Sequence, residues 1–115
     1  MPLLKLETTV LLPEDKRQAL LASLSKIVAE TIGKPQQYVM VTASQAAMQM
    51  SGSPGEAALV EVRSIGGLSR EVNKNISQKI CKLLNESLGV PQNRIYLNFT
   101  EISAGHWGWN GDTFG

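Results

Sequence analysis

The second residue of the chain is a proline, and a free amino-terminal proline is an unusual chemical group. A small residue after the initiator usually allows removal of Met1, which would leave Pro2 with a secondary amine. That amine is more basic than an ordinary α-amino group, whose pKa is about 8, so in water it is mostly protonated. Burial and a nearby cation, for which Lys34 is a candidate, would both lower its pKa toward neutrality, where general-base catalysis is efficient. Taken alone, a proline that begins an exposed strand needs no function.

The other residue types that carry chemistry occur once each. Cys81 excludes an intramolecular disulfide and a Cys-x-x-Cys motif, and no electropositive neighbour is evident, so we predict a small buried hydrophobic residue rather than a nucleophile. The single histidine, His106, argues against a zinc site built from this chain alone. We therefore expect neither a metal nor a cofactor.

Length and composition limit the classes of function. A chain of 115 residues is short enough that we expect one domain, residues 1–115, and its 43% hydrophobic residues are sufficient for a globular core. The net charge of +1 without a basic block gives no source of affinity for nucleic acid. The sequence contains neither a long apolar run nor a signal-peptide pattern, so we expect no membrane partner and a location in the cytoplasm, or export without a conventional signal peptide.

The chain contains an internal repeat. The pattern Gly-x-Pro-Gln occurs at residues 33–36 and again at residues 89–92, so the two copies lie 56 residues apart. The same offset places Leu4 and Leu6 on Val60 and Val62. The repeats are predicted to cover about residues 2–45 and 58–102.

Hydrophobic periodicity predicts one helix and two strands in each repeat. The first helix begins with Glu14 and Asp15 and ends at Gly33, and the second carries an apolar stripe from Val72 to Leu88 and ends at Gly89. Alternating residues predict four strands, at residues 3–8, 38–43, 58–65 and 94–102. The order is βαβ twice, which predicts an α+β fold: a four-stranded mixed sheet with both helices on one face.

The two faces of this sheet differ in character. The face predicted to lie under the helices is entirely apolar: Leu4, Leu6, Val39, Val41, Val60, Val62, Ile95, Leu97 and Phe99. The opposite face mixes charged, polar and apolar residues: Lys5, Glu7, Met40, Thr42, Leu59, Glu61, Arg63, Tyr96, Asn98 and Thr100. Because such sheets are seldom left with a bare face, we expect partner subunits to cover it in a small symmetric oligomer.

Five short motifs in order resemble the macrophage migration inhibitory factor family of the tautomerase superfamily. They are Pro2, Gly33-Lys34-Pro35-x-x-Tyr38, Ser64-Ile65-Gly66, the run from Arg94 to Asn98, and Gly108-Trp109-Asn110 followed by Thr113-Phe114. The resemblance covers the whole chain. It implies the tautomerase fold assembled as a homotrimer, with sites at subunit interfaces and small aromatic keto acids such as phenylpyruvate, or dopachrome-type compounds, as substrates.

The resemblance also implies roles for individual residues. Pro2 would be the catalytic base, and the remaining residues would bind substrate. Lys34 would meet the substrate carboxylate and the Ile65 amide would add a hydrogen bond. Tyr96 and Asn98 would come from the neighbouring chain, and aromatic residues would form the walls: Trp107, Trp109 and Phe114. In the resulting hypothesis, neutral Pro2 interconverts the keto and enol forms of a phenylpyruvate-like acid.

Two departures from the family pattern affect these expectations. The stretch aligned with the Cys-x-x-Cys of animal members, residues 57–60, contains no thiol, so the associated oxidoreductase activity should be absent. Trp107 occupies a position where well-known animal members have a small aliphatic residue, which should reshape the mouth of the pocket. His106 is predicted to be a surface residue near the site rather than a second base.

Two other functions remain open from sequence. One is a signalling or interaction protein with a vestigial pocket, because cytokine activity depends on surface contacts and not on the fold. The other is hydration, decarboxylation or dehalogenation of small unsaturated acids. That chemistry needs further cations, for which only Lys34 and Arg63 are candidates.

Overall fold

A computed structural model describes residues 1–115, all of the chain. Its longer elements alternate strands and helices: β1 (Pro2–Thr8), α1 (Glu14–Ile32), β2 (Met40–Gln45), β3 (Ala58–Ser64), α2 (Arg70–Leu88) and β4 (Ile95–Glu101). Short 3-10 turns occupy Gln36–Tyr38, Gln92–Arg94 and Ala104–His106, and two two-residue strands follow, β5 (Gly108–Trp109) and β6 (Asp112–Thr113).

The four long strands form one mixed sheet in the order β2-β1-β3-β4. Within each repeat the two strands are parallel, and the two repeats join where β1 pairs antiparallel with β3. Both helices contribute to one core with a single face of this sheet. The predicted α+β fold class is therefore confirmed.

The bounds of the elements repeat at the offset seen in the sequence. Adding 56 to the residue numbers of β1, α1 and the first 3-10 turn gives the bounds of β3, α2 and the second turn. The pairing of Lys5 with Glu61 lies at the centre of the antiparallel junction, and these two residues are themselves 56 apart. The two repeats are thus related by an approximate two-fold rotation through this pair.

The core lies between the helices and the predicted apolar face of the sheet. On the central strands Leu4, Leu6, Val60 and Val62 are fully buried. The apolar residues of the edge strands are only partly buried, apart from Ile95. The helices contribute the spaced residues Leu20, Leu24, Val28, Ile32, Ile76, Ile80, Leu84 and Leu88, which bury one stripe of each helix.

Glycine and serine define the helix ends. Gly33 and Gly89 end α1 and α2 in the left-handed conformation, with φ of 80° and 72°, where glycine has no steric penalty. Helix α2 begins at Arg70, two residues before the predicted stripe. It does so because the Ser69 hydroxyl accepts a hydrogen bond from the Val72 amide at 3.1 Å.

Two details of the predicted elements were wrong. Tyr38 does not begin a strand but ends a 3-10 turn, because Pro35 starts a turn in which the Tyr38 amide bonds to the Pro35 carbonyl. The other strand ends agree with prediction to within two residues. The hairpin of β5 and β6 was not predicted, although Asn110 and Gly111, both at positive φ, form the tight turn that such a hairpin needs.

Neither helix is both long enough and apolar enough to pass through a membrane.

Candidate active site

The largest cavity lies at the start of β1. It has a volume of about 630 Å³, and eight of its eleven lining residues are hydrophobic. The lining comes from the amino terminus, the segment around the start of β2 and the carboxy-terminal segment: Met1, Pro2, Leu3, Gln37, Tyr38, Val39, Met40, Trp107, Gly108, Trp109 and Phe114. Four predicted site residues therefore share one cavity: Pro2, Trp107, Trp109 and Phe114.

Pro2 is fixed by the central part of the sheet. It is fully buried and pairs with Ser64 across the antiparallel junction. The Ser64 hydroxyl donates to the Gly66 carbonyl at 2.7 Å, which holds the turn after β3. The predicted Ile65 amide faces the same place, since it donates a long hydrogen bond of 3.4 Å to the carbonyl of Met1.

Lys34 does not line the cavity, but its ammonium group acts on the amino terminus. The end of α1 at Gly33 and the break at Pro35 turn Lys34 away from the helix axis. Burial first, and then the positive charge of Lys34, lowers the pKa of the Met1 α-amino group below its ordinary value. These are the two causes that the sequence predicted for the amine of Pro2.

A glycine allows Lys34 to lie close to the segment after β3. At Gly67, where φ is +80°, a Cβ atom would lie 2.6 Å from Cγ2 of Ile32 and 3.6 Å from Cε of Lys34. A side chain at this position would therefore collide with the end of α1. The absence of one lets the lysine stem pass beside the turn that contains Ile65.

The carboxy-terminal segment supplies the aromatic walls. Trp109 and Phe114 stack with ring centroids 5.6 Å apart and planes 10° from parallel, an arrangement favoured by aromatic pairs. The hairpin of β5 and β6 connects them, and the Phe114 amide donates to the Trp107 carbonyl at 3.2 Å. All three aromatic residues are thus held in one small unit against the amino terminus.

Tyr96 and Asn98 lie elsewhere in the same chain. Both project from the exposed face of edge strand β4. Asn98 pairs with Glu61, which in turn pairs with Lys5 on β1. Pro2 lies three residues before Lys5 on that strand. Two strand spacings and three residues along the strand separate Asn98 from Pro2 by about 14 Å. Neither Tyr96 nor Asn98 lines the cavity of its own chain.

Seven of the eleven lining residues were not predicted as site residues, and Tyr38 and Met40 are among them. Tyr38 and Met40 both line the cavity, and Met40 pairs with Leu3 across the parallel strands. The order β2 beside β1 follows from the βαβ crossover, so the start of β2 had to lie next to the start of β1. That argument could have found both residues.

The remaining chemical groups lie outside this cavity. His106 is exposed in the turn just before Trp107, as predicted for a surface residue near the site. Cys81 is half-buried against the core, and burial raises the pKa of its thiol, which disfavours the reactive thiolate. No three His, Cys, Asp or Glu side chains are grouped where they could bind a metal ion.

The fold places the chain in a structural class. Its coordinates superpose on the crystal structure of a macrophage migration inhibitory factor homologue from Prochlorococcus marinus with a TM-score of 0.93 and 38% identity, covering 98% of this chain and 99% of that one. A macrophage migration inhibitory factor-like protein from Entamoeba histolytica gives the same TM-score at 29% identity, covering 98% of both chains. This is the fold of the tautomerase superfamily.

Sequence comparison identifies the family within that class. The family model for macrophage migration inhibitory factor matches residues 1–115. A macrophage migration inhibitory factor homolog of Brugia malayi is 35% identical over 117 residues, covering both chains completely, and the Rattus norvegicus protein is 35% identical over 98 residues, covering 84% of this chain and 85% of that one. The chain belongs to the macrophage migration inhibitory factor family.

Proposed function

We propose that this protein is a keto-enol tautomerase of small aromatic keto acids, with Pro2 as its general base. The observation that carries the proposal is the position of Pro2, which is buried at an apolar, aromatic-walled cavity, next to a terminal amine whose pKa is lowered by burial and by Lys34. Phenylpyruvate is the proposed test substrate, and the same chemistry extends the proposal to dopachrome-type compounds.

Removal of Met1 completes the proposed site. It converts the amide nitrogen of Pro2 into a secondary amine, one residue from the Met1 amine whose pKa burial and Lys34 lower. It also removes the carbonyl that accepts from the Ile65 amide, which frees that N–H for a substrate oxygen. A single cleavage therefore supplies both a base and a hydrogen-bond donor.

A neutral amine is what the first step requires. Pro2 takes a proton from the carbon between the aromatic ring and the keto group, and the electron pair of the broken C–H bond forms the C=C bond of the enolate. The keto oxygen becomes negative and takes up a proton from solvent, while Pro2 releases its proton to solvent. The reverse sequence restores the keto form. Factors that keep the amine neutral near pH 7 raise the rate.

The substrate is held by charge at one end and by aromatic surface at the other. Lys34 binds the carboxylate and thereby orients the acidic C–H toward Pro2. The Ile65 amide polarises an oxygen of the substrate. Trp107, Trp109 and Phe114 pack on the aromatic ring and exclude water, which also keeps the Pro2 amine neutral.

A homotrimer would supply the two predicted residues that the cavity lacks. The face of the sheet away from the helices leaves Met40 64% and Tyr96 67% exposed, although both are large and apolar in character. The outer strands β2 and β4 also have unpaired backbone edges, which a neighbouring chain can pair. In such an assembly Tyr96 and Asn98 of one chain approach the cavity of the next, where Asn98 would bind a substrate oxygen.

Matched glycine substitutions test this function. In chains that begin at residue 2, Pro2→Gly should lower kcat/KM for phenylpyruvate by at least about 100-fold, because a positioned general base contributes that much or more. Ala58→Gly changes the equivalent buried position of the second repeat and should leave kcat/KM unchanged. Sedimentation analysis should give a trimer for both variants.

The alternatives predict other results. A trimer without measurable enolisation of phenylpyruvate would support the signalling function with a vestigial pocket. Equal activity of the two variants would show that Pro2 is not the base.

A further inference from the structure

A second cavity lies directly beside the first. It has a volume of about 290 Å³ and is lined by Leu3, Arg63, Ile102, His106, Trp107 and Gly108. Three of these residues, Leu3, Trp107 and Gly108, also line the cavity of Pro2. The two cavities therefore share a wall and are separated chiefly by the side chains of Leu3 and Trp107.

The register of the sheet explains this arrangement. Leu3 pairs with Met40 on one side and with Arg63 on the other. Side chains at paired positions project from the same face, so Met40, Leu3 and Arg63 form one row across the sheet. Met40 borders the Pro2 cavity and Arg63 borders the second cavity, with Leu3 between them. The position of Arg63 relative to Pro2 is thus fixed by the central strands.

The second cavity has a positive character. None of its lining residues is acidic, and Arg63 carries a permanent charge. One Nη2 donor of Arg63 bonds to Oε2 of Glu61 at 3.1 Å, and no other partner of the guanidinium is present within the chain. A guanidinium has five N–H donors, so most of them have no partner within this chain. His106 adds a further polar group at the rim.

We propose that the Arg63 cavity is a subsite for a second anionic group of the substrate, which makes the preferred substrates 2-keto acids with an anionic group at the far end of the molecule. The inference rests on the proposed function, in which Lys34 binds the first carboxylate and Pro2 faces the reacting carbon. The far end of a substrate lying past Trp107 then reaches Arg63. A monoanionic aryl keto acid leaves this subsite empty.

A simpler explanation is that Arg63 only stabilises the fold through its ion pair with Glu61. The two explanations predict different effects of Glu61→Gln on the binding of a dianionic ligand. If the pair is merely structural, Arg63→Gln and Glu61→Gln break the same interaction and have similar consequences. If Arg63 binds substrate, removing the arginine weakens the binding of a dianion, whereas removing the competing carboxylate of Glu61 strengthens it.

The experiment compares three ligands on the trimer that begins at Pro2. They are phenylpyruvate, (4-carboxyphenyl)pyruvate and the uncharged isostere (4-carbamoylphenyl)pyruvate. The ratio of Kd for the carbamoyl compound to Kd for the carboxyl compound is measured by calorimetry, together with the corresponding ratio of kcat/KM values. The isostere removes the effect of size, so the ratios report the second negative charge alone.

The expected ratio is about five in the wild-type protein, because a half-exposed charge pair contributes about that factor. It should fall to about one in Arg63→Gln, remain above one in Arg63→Lys and rise in Glu61→Gln. Melting temperatures and sedimentation of the variants show whether they remain folded trimers, and the conservative Arg63→Lys variant serves as the test should Arg63→Gln not fold.

The outcomes separate this inference from the proposed function. A ratio near one in the wild-type protein, or equal changes in Arg63→Gln and Glu61→Gln, overturns the subsite. If the Kd ratios follow the expected pattern but no keto acid is enolised, the subsite stands and the tautomerase function fails. If phenylpyruvate is enolised but the ratios do not respond to Arg63, the function stands and the subsite fails.

Discussion

The first repeat has Pro2 in the lining of a cavity and Lys34 near its amino terminus, whereas the second repeat has Ala58 and Val90 at the equivalent positions. The second repeat also forms a cavity, of about 490 Å³, beside Ala58, Leu59 and Tyr96, which are the equivalents of Pro2, Leu3 and Met40. No charged side chain lines either cavity, but at the first one the charge of Lys34 lowers the pKa of the terminal amine.

The comparison separates what the fold supplies from what the side chains supply. A βαβ unit in this arrangement leaves a depression at the start of its first strand, and it does so twice. The proposed base, Pro2, and a nearby lysine, Lys34, accompany only one of the two depressions. The proposed chemistry of the first repeat therefore depends on a few residues, while the equivalent residues of the second repeat serve packing. Val90, for example, is fully buried in the core.

The pair Lys34 and Val90 should show the largest contrast. Lys34→Ala should raise KM for phenylpyruvate about tenfold and leave stability nearly unchanged, because a charged hydrogen bond to the carboxylate is lost. Val90→Ala should instead lower the free energy of unfolding by about 2 kcal/mol through the cavity it creates, without changing KM. Steady-state kinetics and urea unfolding measure both variants. If both variants changed KM and the free energy of unfolding in the same way, the distinction between the repeats would be contradicted.

Two glycines at positive φ offer a sharper comparison of packing. Gly67→Ala should destabilise the fold by about 2 kcal/mol and raise KM, since its new Cβ collides with Ile32 and displaces the nearby Lys34. Gly89→Ala, at φ +72° with nothing within 4 Å of the new Cβ, should cost only about 1 kcal/mol and leave KM alone. Unfolding and kinetic measurements check the pair. An unchanged KM in Gly67→Ala would contradict the close approach of Lys34.

Tyr38 and Arg94 occupy equivalent turns and should differ in a similar way. Arg94 holds the segment before β3 through hydrogen bonds to the carbonyls of Met50, Ser53 and Glu56 at 2.9–3.2 Å. Arg94→Ala should lower stability by about 1–2 kcal/mol. Tyr38→Ala removes part of the cavity wall and should raise KM about threefold with little effect on stability. Thermal unfolding and steady-state kinetics distinguish the two variants. A higher KM in Arg94→Ala together with lower stability in Tyr38→Ala would contradict the account.

The smallest predicted effect is a shift in the pH dependence of kcat/KM. Activity should fall as the pH drops through the pKa of the Pro2 amine, because only the neutral amine accepts a proton. Lys34 lowers the pKa of the adjacent Met1 amine, so we expect Lys34→Gln to raise the pKa of the Pro2 amine and to move the acidic limb of the kcat/KM profile to higher pH. Lys82→Gln, on the exposed side of α2, is the control and should not move it. If the acidic limb of the profile stays in place in Lys34→Gln, the charge of Lys34 does not affect the pKa of the Pro2 amine.

Most of the fold could be predicted from the sequence because each strand and helix of the repeat occurs twice at a constant offset. Helix ends at Gly33 and Gly89 and the buried face of the sheet follow from local rules of spacing and capping. The turn at Tyr38 and the hairpin after Trp107 were harder to predict, because elements of two or three residues are too short to show a hydrophobic period.

Prediction of the candidate site was more uneven. Three aromatic residues near the carboxy terminus meet Pro2 in space, but periodicity alone does not bring chain ends together. The resemblance to a family was needed to group them. Tyr96 and Asn98 lie away from the cavity of their own chain, and no pattern within one chain predicts where a neighbouring chain would lie.

The most direct test compares two forms of one protein, the first retaining Met1 and the second beginning at Pro2, with intact mass measured for each. Both should form the same trimer. The account predicts that the form beginning at Pro2 enolises phenylpyruvate with kcat/KM at least about 100-fold above that of the form retaining Met1, whose Pro2 nitrogen is an amide and cannot take a proton. Equal rates for the two forms would contradict it.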